Sequence, residues 1–251
     1  MKKTLFLILF LSGAALANSV IPVTPSKGLD KDFSLRAFYN WSKINWMLEL
    51  NNTSRENEDN LKAYSLGAKY RVHKNLKLGA TISRQFGNRH DDDWIKDGIW
   101  KWTDTSRRGE TFSFIDIIPR TLLSFLPGER WVGEFRIRYA RNFFNSQNTI
   151  KLRPRLTYFH FNEKGPLFNV FLQYEAYLPL NYGTKSIYEK WAYLGFLYHF
   201  NKWFKPGLFV AQKSLTWGSS GTATRLVPSK PYEVTHKANV VGFNMIFKIP
   251  D

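Results

Sequence analysis

Residues 134–141, EFRIRYAR, alternate apolar and cationic side chains with a period of two, and residues 150–156, IKLRPRL, repeat the pattern. Successive side chains of an extended strand point to opposite faces. Phe135, Ile137 and Tyr139 therefore share one face and Arg136 and Arg138 the other. In the second stretch Ile150, Leu152 and Leu156 stand opposite Lys151, Arg153 and Arg155. The same period recurs along the chain between polar, Gly or Pro punctuation, and no stretch after residue 17 carries helical i, i+3, i+4, i+7 spacing. Strands are predicted at 43–52, 61–72, 76–87, 111–126, 131–143, 148–161, 167–180, 186–200, 204–217 and 235–248.

These segments predict an all-β fold, an antiparallel up-and-down barrel of ten strands. The links between them alternate in length. Those near 73, 128, 163 and 202 are short; those at 53–60, 88–110, 144–147, 181–185 and 218–234 are longer or more variable. Short turns at one end and long loops at the other are the layout of a transmembrane barrel, and an even count places both chain ends on one side. Residues 18–42 fit less simply. DFSLRAFYNW alternates, but its phase switches between Trp41 and Ile44, which implies a bulge or a separate hairpin strand and leaves twelve strands as the alternative.

Alternation alone does not say which face is wet, because a soluble barrel turns its apolar face inward and a membrane barrel turns it outward. Length favours the second. A membrane strand needs about 9 to 11 residues, whereas strands of ordinary globular proteins peak near 5 or 6. Aromatic residues near segment ends, such as Trp46, Trp131, Tyr158 and Trp203, suit a bilayer interface. The predicted organisation is a leader at 1–17, an N-terminal periplasmic segment or extra strand region at 18–42, and the barrel at 43–251.

Composition narrows the setting. Lys2 and Lys3 precede an apolar run that ends in Ala15-Leu16-Ala17, the pattern of a cleavable secretory signal peptide. The 251 residues contain no cysteine, so an exported chain must hold together without disulfides and has no thiolate metal site. The formal charge of +16 would suit nucleic acid, but the cations are spread along strands and an exported chain rarely meets it. Lipopolysaccharide, outer-membrane lipid, small anionic solutes and internal carboxylates are the expected counter-charges. Gly242, Met245 and Phe247 in VVGFNMIFKIPD resemble the C-terminal assembly signal of Gram-negative outer-membrane β-barrels, from which this chain departs by carrying Lys248 to Asp251 after the last aromatic residue. That resemblance implies location in the cell outer membrane and delivery by the barrel-assembly machinery.

The candidate site is the cationic face: Arg120, Arg136, Arg138, Lys151, Arg153 and Arg155, with Lys69 and Arg71 beside them and Glu49, Asp116, Glu134 and Glu175 as counter-ions. An ideal hairpin register sets Arg138 near Arg153 and Arg136 near Arg155; neighbouring turns set Arg153 near Glu175, Arg155 near Gln173 and Arg138 near Arg120. Rows of guanidinium groups offer forked contacts to carboxylate or phosphate. Their charge layout resembles the arginine tracks of small porins for acidic sugars, which implies anion transport. The other reading is a closed structural or surface-binding barrel with an internal Arg/Glu network, since small barrels are filled by side chains. A hydrolase is a third. The loop run RHDDDW, with His90, Asp91, Asp92 and Asp93, is similar to the acidic and histidine groups of omptin-type proteases, but no second matching group accompanies it and no G-x-S-x-G elbow occurs. Neither catalytic residues nor a cofactor or metal site is predicted.

Overall fold

The computed structural model describes residues 28–54, 60–87, 109–163, 165–182, 187–218 and 233–249. The leader, the His90–Asp93 run and most of the longest links lie outside these residues. Eleven strands form one closed barrel: β1 (Leu29–Trp41), β2 (Ile44–Ser54), β3 (Leu61–His73), β4 (Leu76–Phe86), β5 (Glu110–Leu122), β6 (Trp131–Asn142), β7 (Asn148–Asn162), β8 (Gly165–Pro179), β9 (Glu189–Tyr198), β10 (Phe204–Gly218) and β11 (Glu233–Ile249). Each pairs antiparallel with its sequence neighbours, while β1 and β11 close the barrel in parallel, Leu29 beside Asn239 and Tyr39 beside Ile249.

The count is thus eleven, in place of the expected ten or twelve, and the closure is not antiparallel throughout. The extra strand is β1, inside the segment that the sequence left ambiguous. Its phase switch is a two-residue turn, with Ser42 at φ 55°. Trp41 and Ile44 are cross-strand partners and so share a face, although they are three apart in sequence. An odd count also separates the chain ends: β1 begins at the long-loop mouth and β11 ends at the short-turn mouth. The link after β5 is longer than expected, because the strand stops at Leu122 and Pro127–Glu129 form a single 3-10 turn.

Burial divides the strands by polarity in the inverted sense. Large apolar side chains such as Leu48, Leu66, Ile82, Ile115, Leu172 and Leu194 are exposed on the outer face. Inward positions are polar and buried, including Ser34, Ser83, Asp116, Asn142, Asn169 and Glu175. One part of the interior is aromatic. Phe171, Phe209 and Val240 form a cluster with Trp191, Tyr193 and Leu197. Glycines provide its floor: a Cβ on Gly195 would stand 2.2 Å from the Phe171 ring, and one on Gly242 would stand 2.0 Å from the Phe209 ring.

Candidate functional site

All six predicted cations belong to the inner face, because Glu134, Arg136 and Arg138 share one parity on β6 and pair with Arg155, Arg153 and Lys151 on β7. Two of the expected registers are corrected. Arg138 stands opposite Lys151 and Arg136 opposite Arg153, two residues from the ideal hairpin, because the link between β6 and β7 is longer than a two-residue turn. Arg138 also faces Asp116, while Arg120 faces Glu134, because the link from β5 to β6 is longer than the short turn assumed. Arg155 beside Gln173 and Arg153 beside Glu175 are observed as expected.

The interior sorts into three tiers. In the middle, three arginines each hold a carboxylate. Arg138 makes a forked contact to Asp116, Nε to Oδ1 at 2.7 Å and an Nη to Oδ2 at 2.8 Å. Arg153 Nε lies 3.1 Å from Glu175, and Arg36 Nε donates to Glu49 at 2.6 Å. Tyr177 donates its hydroxyl to Glu175 at 2.7 Å. The Lys151 ammonium lies 4.5 Å from the Tyr177 ring centre and 5.5 Å from that of Phe114. Arg136 differs from its neighbours: its Nε is buried without a hydrogen-bond partner.

Toward the long-loop mouth the inner carboxylates are held mainly by neutral donors. Asp32 accepts from Asn51 and Thr53, Glu110 from Asn142, and Glu189 from the Trp191 indole at 2.6 Å. Toward the short-turn mouth the sign reverses. A cavity of about 480 Å³ is lined by Lys43, Lys69, Arg71, Lys77, Arg120, Arg155, Lys205 and Lys248, eight cations, against the single carboxylate of Glu134. Arg155 enters it with its guanidinium 3.9 Å from the Phe171 ring centre. His199, in the turn after β9, lines the same cavity and donates Nε2–H to Asn169 at 2.9 Å. Burial, with Lys205 and Lys248 beside it, pushes its pKa down to about 4, so it is neutral at pH 7.

The sequence reading missed Lys43, Lys77, Lys205 and Lys248 in this vestibule, and Arg36 in the middle tier. Arg36 was recoverable from the alternation of β1. Lys205 and Lys248 lie far apart in sequence and meet only through the pairing of β10 with β11. Among the described residues no group of three or more His, Cys, Asp or Glu could hold a metal ion. Neither a protein-family model nor any curated protein matches this sequence.

Proposed function

We propose that this chain is an outer-membrane β-barrel that takes small anionic solutes into its lumen through the cationic vestibule and conducts them as a narrow, anion-favouring channel. The observation that carries the solute class is the vestibule itself, eight cations against one carboxylate. Rings of Lys and Arg favour anions in pores of this kind. The outer face supports the membrane setting. Its apolar band carries Tyr39, Trp41, Trp46, Tyr70 and Tyr198 exposed toward the short-turn end, where such rings suit an interface.

Outward-facing charge supports an orientation. Lys31, Lys62, Arg84, Arg141, Lys190 and Lys237 are exposed on the outer face, all toward the long-loop end of their strands. Among the described strand residues of outward parity the one carboxylate is Glu233, at the start of β11. A mainly cationic collar on a lipid-facing rim fits the phosphates of lipopolysaccharide, which supports a reading with the long loops outside the cell and the vestibule on the periplasmic side.

The paired middle tier and the aromatic cluster favour a second reading, a closed barrel in which the vestibule holds an anion without passing it. Planar-bilayer recording of the folded mature chain under a salt gradient separates the two. Discrete conductance with a reversal potential of anionic sign supports transport. Silence from folded, inserted protein defeats the channel and leaves the closed barrel.

A further inference from the structure

Apart from bulges beside the turns at Arg71–His73 and His160–Phe161, the strand ladders are interrupted at two places among the described residues. A proline stands at each. Between β5 and β6 the pairing runs to Ile117 with Ile137 and resumes in the same register at Arg120 with Glu134. Between β7 and β8 it runs to Leu152 with Ala176 and resumes at Arg155 with Gln173. Arg120 gives its N–H to Asn75, on the β4 side, so the position before it, Pro119, is the one whose missing N–H faces β6. Proline is ordinarily confined to sheet edges or bulges. Here two occupy the seams on either side of the β6–β7 pair.

The two interruptions lie at one level. In the unbroken register Pro119, Phe135, Pro154 and Tyr174 form a row across four strands, with Phe135 and Pro154 directly paired. All four, with Leu156 and Leu172, line a groove of about 700 Å³ on the outer wall, within the range of ligand pockets. Three inner-face residues, Arg120, Glu134 and Arg155, line both this groove and the cationic vestibule. The wall there is a single layer of chain with apolar surface on one side and unbalanced positive charge on the other. In hydrocarbon, backbone groups left without ladder partners carry a cost that a continuous wall would avoid.

We propose that this seam is a lateral lipid site: an acyl chain of a glycerophospholipid lies in the outer groove, and its phosphate enters beside Pro119 to meet Arg120 and, across Glu134, Arg155. The assignment rests on the membrane reading above. It names the leaflet at the short-turn end as the source of the lipid. A forked guanidinium contact suits a phosphate, and the row of Pro119, Phe135 and Pro154 suits a hydrocarbon chain.

The test uses the full mature chain, first floated with liposomes and then transferred to micelles carrying phosphatidylglycerol or phosphatidylcholine, with bound lipid counted by native mass spectrometry. The expected result is one phosphatidylglycerol per barrel, at about tenfold the occupancy of phosphatidylcholine, which corresponds to about 1.4 kcal/mol. Leu172→Trp, at an exposed outward position, fills the groove and abolishes retention of both lipids. R120Q/R155Q lowers phosphatidylglycerol to the level of phosphatidylcholine. Equal retention of the two lipids by the unmodified chain overturns the site, and so does phosphatidylglycerol retention unchanged by L172W. A folded chain that fails to float overturns the membrane reading itself.

Discussion

The middle tier and the vestibule contain the same side chains in opposite states. In the middle, Arg138, Arg153 and Arg36 each hold a carboxylate at hydrogen-bond distance. A few residues toward the short-turn mouth, eight cations share the one carboxylate of Glu134. Paired charges in a poorly solvated interior fix the chain that carries them, because losing either partner strands the other. Unpaired cations at a water-filled mouth fix little and leave a field that an incoming anion can neutralise. Arginine count therefore does not locate the proposed anion-binding surface. The balance at each level does.

This contrast is most easily broken at Asp116, which is fully buried beneath the Arg138 fork. Asp116→Ala strands that guanidinium and is expected to cost about 3–5 kcal/mol. Urea unfolding followed by tryptophan fluorescence measures it, and a change below about 1 kcal/mol would show that water screens the tier. The aromatic cluster comes next. Gly242→Ala drives a methyl into the Phe209 ring, and overpacking of this kind costs about 1–3 kcal/mol. A midpoint unchanged from the parent would mean that Phe209 swings freely in an open lumen.

Arg136 sharpens the comparison within a single row. Its Nε has no partner, so Arg136→Met is expected to change stability by less than about 1 kcal/mol, far from the loss at Asp116. A loss as large as that of D116A would place Arg136 in the scaffold. In the vestibule, K77E/K248E should leave stability within about 0.5 kcal/mol while the reversal potential moves toward zero or changes sign. Unchanged anion preference in that variant would take the vestibule out of the conduction path.

An effect confined to acidic pH belongs to His199. Its pKa falls to about 4 in the folded chain from 6.5, so folding favours the neutral ring. Above pH 6.5 this has no consequence for stability. As pH falls from 6.5 toward 4 the unfolded chain takes up the proton first, and stability declines across that window. His199→Gln should flatten this part of the pH profile; an identical slope in the variant would assign the acid sensitivity to other groups.

Much of the molecule was legible as pattern. The two-residue alternation located ten strands to within a few residues and put Arg120, Arg136, Arg138, Lys151, Arg153 and Arg155 on the face now seen to be internal. Asp116, Glu134 and Glu175 were identified as counter-ions from the same parity, and the structure places them opposite those cations. The eleventh strand was hidden by hairpin geometry. Trp41 and Ile44 share a face across a two-residue turn, so the phase inverts where a continuous strand would have kept it.

By itself the sequence determined what is local: which residues are extended, which share a face, and that one face is cationic and the other apolar, because side-chain parity is a property of each strand alone. Pairing partners were not local. A register two residues from ideal moved Arg138 from Arg153 to Lys151 and gave it Asp116 in place of Arg120. The parallel closure of β1 on β11, the meeting of Lys205 and Lys248 with Lys77 at one mouth, and the alignment of Pro119 with Pro154 across β6 arise only when the sheet closes. Strand stagger and turn length then decide which distant residues share a level of the lumen, and that decides which cations face a carboxylate and which face mainly one another.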